Sequence, residues 1–301
     1  MKDHSVYEYG GLCEASAATY IDDDHFAVAS DETNTLRIYR RGEAGIGRAV
    51  PLQIGDSAKA DLEAAARIGD LVYWISSHSV PGGEADRKRK KHRQDGHGGK
   101  KRRSGLVATA IHAGADGPDL QQVGLAGDLS PALLCAMGGL MAPDALNIEG
   151  MAATPDGRLM LGLRSILGDR AVVATLDNPA GILRGDTAVF GAVSLLDLGG
   201  MGIRSLEEVP GGYLMVAGPE GDAGHFAIHF WPGPGMASQA VGRIDFGKLK
   251  PEALMIVPGR GLVQFLCDDG SGLCSDVETP IAARGFHSID VPMAALMPRR
   301  G

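Results

Sequence analysis

The feature that most constrains this chain is a unit that recurs five times: a short apolar strand, a turn rich in Gly, Asp or Pro, and a second apolar strand. One copy runs from Ile148-Glu149-Gly150-Met151-Ala152 through Thr154-Pro155-Asp156-Gly157 into Leu159-Met160-Leu161. The others open at Cys13-Glu14-Ala15-Ser16, Leu62-Glu63-Ala64-Ala65, Ile203-Arg204-Ser205-Leu206 and Pro251-Glu252-Ala253-Leu254. Successive copies start about fifty residues apart, except across the longer interval between Glu63 and Glu149. That period exceeds one hairpin and suits four strands. Radial repetition of four-stranded sheets is the propeller architecture.

The expected fold is therefore all-β: a five-bladed β-propeller over residues 1–301. Outer strands are predicted at 35–39 and 49–54, 106–111 and 120–125, 171–176 and 192–198, 226–231 and 240–246, and 286–291. The fifth blade then lacks a strand. Ser5–Tyr9 is a spare one that would complete it and close the ring. The long interval holds two insertions. One is a basic loop at 85–104. The other, Ser130 to Met141, reads as a short helix opened by Ser130-Pro131. The 44 glycines suit a chain with many tight turns.

Geometry turns the repeat into a site. The first strand of each blade lies nearest the axis, so its start and the end of the second strand share one mouth. Alignment on the turns puts Glu14, Glu63, Glu149, Arg204 and Glu252 at equivalent positions, with Asn147 just before Glu149. The second strands end in Asp31-Glu32, Ser77-His78, Arg164-Ser165, Gly218-Pro219 and Asp268-Asp269. Glu207 is three residues out of register, and strand alternation would turn it to the other face. Carboxylates gathered at one axis repel unless protonated or neutralised. They either bond backbone N–H groups of the next blade, hold a cation, or receive a cationic or hydroxyl-rich ligand. Oxygen-rich clusters suit Ca²⁺, with Mg²⁺ the alternative. The expected metal ligands are Glu14, Asp31, Glu63, Asn147, Glu149, Glu252 and Asp268.

Charge is unevenly spread. The formal net charge is −8, yet residues 87–103 carry ten Lys/Arg against the single acid Asp95. The rest of the chain is strongly acidic. The basic loop leaves from the same mouth and would draw an anionic ligand toward it. It has no aromatic residue on which to stack a base, which disfavours nucleic acid. No apolar run reaches the length of a membrane span. The four cysteines form no CxxC pair. They read as reduced thiols in a cytoplasmic monomer, with Cys267 and Cys274 close enough in sequence to approach each other. GxSxG, P-loop and HExxH motifs are absent.

Taken in order, Glu14-Ala15-Ser16, Ser77-His78-Ser79 with the basic loop, Asn147-Ile148-Glu149-Gly150-Met151-Ala152, Gly202-Ile203-Arg204-Ser205-Leu206-Glu207 and Pro251-Glu252-Ala253-Leu254 span nearly the whole chain. This set resembles an uncharacterised bacterial β-propeller family, a domain of unknown function similar to esterase-like and phytase-like propellers. The resemblance implies a propeller. It also implies that the Asn-Ile-Glu-Gly and Ile-Arg-Ser-Leu-Glu motifs, Glu207 included, stand at the family's shared site. The basic loop is longer and more charged than the family's pattern.

Two functions fit. One is a calcium-dependent hydrolase of a phosphate or carboxylate ester. There Arg164 and Arg204 would hold the anionic group, and His78 or a metal-free Glu would move the proton. The other is a non-catalytic propeller that contacts a ligand or protein through the basic loop.

Overall fold

The computed structural model describes residues 5–54, 60–80, 83, 104–221, 224–241, 244, 246, 247, 249–268 and 279–298, with the backbone alone at Asp268. The basic segment 87–103 lies outside the described residues.

Five antiparallel four-stranded sheets form the five blades. Blade one is β2 (Ala17–Tyr20), β3 (His25–Ala29), β4 (Thr35–Arg40) and β5 (Arg48–Pro51). Blade two is β6 (Leu62–Ile68), β7 (Leu71–Ser76), β8 (Leu106–Gly114) and β9 (Gly117–Ala126). Blade three is β10 (Ile148–Ala153), β11 (Leu159–Leu167), β12 (Arg170–Leu176) and β13 (Phe190–Leu196). Blade four is β14 (Gly202–Val209), β15 (Gly212–Gly218), β16 (Ala227–Trp231) and β17 (Gln239–Ala240). Blade five is β18 (Lys250–Val257), β19 (Leu262–Asp268) and β20 (Gly285–Pro292), completed by β1 (Ser5–Gly10). The spare N-terminal strand does close the ring: β1 pairs with β20 from Ser5↔Asp290 to Gly10↔Gly285.

Two outlying elements are shorter than expected. Blade four's outer strand stops at Ala240 instead of running on to Phe246. The helix α1 (Ser130–Ala136) ends before two glycines with positive φ, Gly138 and Gly139, a backbone conformation that stops a helix.

The inner strands β2, β6, β10, β14 and β18 pack each against the next, and β18 packs back on β2. The apolar core is correspondingly divided into five clusters, one per blade interface. Among the described residues, the cluster at the closure between blades five and one is the richest in aromatic side chains. Tyr9 stacks on Phe286 with centroids 5.5 Å apart, and Phe26 stacks on Tyr39 at 5.5 Å. Polar bonds cross the same interface. Tyr20 Oη donates to Gln264 Oε1 (2.6 Å), Gln264 Nε2 donates to Ser288 Oγ (2.9 Å), and Arg41 of blade one pairs with the buried Asp290. Burial pushes the Asp290 carboxyl up and Arg41 opposes that shift.

The cysteines depart from expectation. Cys13 is disulfide-bonded, and Cys267 is buried. Disulfides belong mainly to oxidising compartments, so the reading of four reduced cysteines loses its support.

Removing Arg41 would strand a buried carboxylate on β20, the strand whose pairing with β1 closes the ring. Arg41→Ala is expected to cost about 3–5 kcal/mol, read as a lower urea midpoint at pH 7. A midpoint equal to that of the parent protein would mean the pair plays no part in closure.

Candidate functional site at the channel mouth

The mouth is organised by one backbone irregularity. In four blades the inner hairpin shifts register at its first residues: between Leu62 and Ala64, Ile148 and Gly150, Ile203 and Ser205, and Pro251 and Ala253. In blade one the N–H of Ser16 bonds the carbonyl of Ala29, the residue already opposed by Ala17. Each is a β-bulge, in which two residues face one and the extra side chain is re-aimed. The bulged residues are Ser16, Glu63, Glu149, Arg204 and Glu252. Glu63, Glu149, Arg204 and Glu252 are therefore equivalent. Glu14 is not: it lies two residues earlier, at the position held by Asp61, Asn147, Gly202 and Lys250 in the other blades. The hairpin turns differ in length from blade to blade, so alignment on turns is not alignment on bulges.

The same registers place Asp31, Ser77, Arg164, Gly218 and Asp268 at one position on the second strands. Each blade interface thus presents three positions, one from the earlier blade and two from the next. Their contents differ sharply.

Between blades one and two stand Asp31, Asp61 and Glu63, all buried, each offering a carboxylate oxygen within 4.8 Å of the others. Three such ligand atoms could hold a metal ion. Asp61 accepts from the Ser77 hydroxyl, whose oxygen accepts in turn from the Ser79 hydroxyl at 2.8 Å. Asp61 and His78 are the only non-glycine residues with positive φ among the described residues, both at 56°. That strain falls at functional sites more often than elsewhere.

Between blades three and four the interface is cationic. Arg164 Nη1 donates to Glu149 Oε1 (2.8 Å), and Arg204 Nη1 reaches Glu149 Oε2 (3.4 Å) and Glu252 Oε2 (3.1 Å). Both guanidiniums also donate to the Gly221 carbonyl, at 2.9 and 3.3 Å. Two arginines and two glutamates make a neutral clamp. Gly202 makes room for it: a Cβ there would lie 1.9 Å from the Arg164 carbonyl oxygen. Asn147 Nδ2 donates to Glu149 Oε1 at 3.0 Å.

The expected site residues therefore separate. Asp31 and Glu63 meet each other, together with Asp61, which sequence reasoning passed over. Glu149 and Glu252 meet the arginines. Glu14 is half-buried at the Asp61-equivalent position of blade one. Asp268 pairs with Lys250 through its backbone, and its side chain lies outside the described residues. His78 has both ring nitrogens engaged: Nδ1 donates to the Ser76 carbonyl (2.8 Å), and Nε2 accepts from the Leu129 N–H (3.2 Å). This fixes the neutral tautomer and ties α1 to the mouth. It does not suit His78 to moving a proton. Glu207 pairs with Leu214 in mid-strand, about 10 Å along the strand from Arg204 and below the mouth.

Burial, reinforced by the neighbouring Glu208, pushes the Glu207 carboxyl up to about 8 from an ordinary value of 4.5. The folded state then keeps a proton that the unfolded chain loses, so stability falls as pH rises from 4.5 to about 8. Glu207→Gln is expected to match the parent's melting temperature near pH 4.5 and to exceed it increasingly up to pH 8. Parallel melting curves across that range would show that Glu207 titrates normally.

No protein-family model matches the chain, and no curated protein matches it. Solved structures are similar in fold. A GH43 β-1,3-galactosidase with galactodeoxynojirimycin is 10% identical, covering 93% of this chain and 90% of its own, with a TM-score of 0.51. A second GH43 β-1,3-galactosidase is 9% identical with a TM-score of 0.50, and this chain spans 56% of it. The glutaminyl cyclase of Myxococcus xanthus is 12% identical over 95% of this chain and 97% of its own, with a TM-score of 0.48. At such identities the likeness is one of propeller fold.

Proposed function

We propose that the protein binds a divalent cation at the Asp31–Asp61–Glu63 interface and uses that site to hydrolyse a phosphate or carboxylate ester. The observation that carries this reading is the burial of three carboxylates within 4.8 Å of one another. Such a group repels itself strongly when ionised, and a cation is the natural counter-charge. Their hard oxygen donors suit Ca²⁺ or Mg²⁺. A cation so held supplies Lewis-acid polarisation of an ester and acidifies a bound water.

The roles of the surrounding residues follow from their partners. Ser77 orients Asp61. The clamp of Arg164, Arg204, Glu149 and Glu252 is charge-balanced, so it shapes the mouth more than it attracts an anion. The propeller fold is neutral on chemistry, because folds host many functions.

The engaged ring of His78 favours a second reading, in which the mouth binds its cation and ligand without turnover. One experiment addresses both. Ca²⁺ or Mg²⁺ at a hundredfold excess over its dissociation constant should raise the melting temperature by roughly 5 °C, and EDTA should reverse this. Asp61→Asn should abolish the shift. Hydrolysis of p-nitrophenyl phosphate or p-nitrophenyl acetate should depend on the same cation. A melting temperature indifferent to both cations sinks the proposal. A cation-dependent shift without turnover of either ester leaves the binding reading.

A further inference from the structure

The described residues hold one buried polar group at the mouth whose orientation is fixed and whose other end is unused. Asn147 is 2% exposed. Its Nδ2 donates to Glu149 Oε1, and a carboxylate can only accept, so the carboxamide cannot be flipped. Its Oδ1 is buried and has no hydrogen-bond partner. Buried carbonyl oxygens are nearly always satisfied by protein, water or ligand. An orphan one at a channel mouth points to a ligand.

The setting of that oxygen follows from its neighbours. Glu149 is drawn toward blade four by Arg204 and held within blade three by Arg164. The amide nitrogen of Asn147 turns to Glu149, which leaves the oxygen on the other edge of the carboxamide. Asn147 is tied to blade two, because the N–H of the next residue, Ile148, donates to the Ser77 carbonyl at 2.8 Å. Ser77 in turn holds Asp61 through its hydroxyl. Asn147 and Asp61 occupy equivalent positions on β10 and β6, two inner strands that pack directly against each other.

We infer that Asn147 Oδ1 is a neutral fourth oxygen ligand of the divalent cation held by Asp31, Asp61 and Glu63, positioned by the Glu149–Arg164–Arg204 clamp. This inference rests on the reading that the carboxylate triad binds a cation. Three carboxylates already exceed the charge of a divalent ion, so a further carboxylate would add repulsion. A carboxamide adds a hard donor without adding charge, and mixed carboxylate and carbonyl oxygens form the usual shell of Ca²⁺.

The test is calorimetric titration with Ca²⁺ alone, on the full chain stripped with EDTA. The parent protein should bind, and Asp61→Asn should not. Asn147→Ala should bind at least tenfold more weakly, while melting with the parent in EDTA. Asn147→Leu, which keeps the volume without an oxygen, should bind as weakly as Asn147→Ala. If the parent binds no Ca²⁺, the triad reading fails and this inference with it. If the parent binds, Asp61→Asn does not, and Asn147→Ala binds as the parent does, the triad stands and Asn147 is not a ligand. Should Asn147→Ala fail to fold, Asn147→Leu decides alone: affinity tenfold or more below the parent supports the inference, and parent-like affinity overturns it.

Discussion

A β-bulge at the first residues of every inner strand sets the character of this molecule. A regular hairpin would alternate its side chains between the two neighbouring blades and bury them all in apolar interfaces. The extra residue breaks that alternation once, at one end, and releases one side chain per blade toward the mouth. Glu63, Glu149, Arg204 and Glu252 are the released residues, and Ser16 is their counterpart in blade one. Below the bulge the strands pack mainly through apolar side chains, as the five separate core clusters record. The polar site and the apolar core thus lie on the same strands without interfering.

The repeat then serves as a frame on which different chemistry is placed. The position two residues before the bulge is Glu14, Asp61, Asn147, Gly202 and Lys250 around the ring. Combined with the second-strand position, this makes the interface of blades one and two wholly acidic and that of blades three and four cationic. Gly202 shows how the second arrangement is accommodated. Where the other blades carry a side chain, the Arg164 backbone approaches so closely that none fits.

Much of the fold was legible because it is stated five times. The strands, the five blades and closure by Ser5–Tyr9 all follow from period and turn chemistry. The site was legible only in part. Alignment on turns assumes equal hairpins, but the turns differ in length from blade to blade, so the true register of Glu14 appears only in the strand pairing. The offset that Asp61 shares with Asn147, two residues before an acidic bulge, is visible in Asp61-Leu62-Glu63 and Asn147-Ile148-Glu149. Reading the repeats from the strand start would have found it. The pairing of Glu149 with Arg164 and Arg204 could not be read this way, since it depends on which blades are neighbours and how far side chains reach. The same holds for His78, whose partner Leu129 lies far along the chain.

The partition of charge also bears on why the acidic interface can exist in a folded protein. Three buried carboxylates weaken the contact between blades one and two, yet a ring transmits that strain to its other joints. The clamp of two arginines and two glutamates locks blades three, four and five to one another at the same mouth. The aromatic cluster and the Arg41–Asp290 pair lock blades five and one. Blades one and two are further joined by the Ser16 hydroxyl, which donates to the Leu62 carbonyl at 2.6 Å. With the remaining joints fixed, the carboxylates cannot relieve their repulsion by drifting apart. A counter-ion of the kind proposed would relieve it, and a rigid frame that enforces proximity would raise affinity for that ion by removing the cost of assembling the ligands. In this architecture the stability of the ring and the strength of the site are two consequences of the same closure.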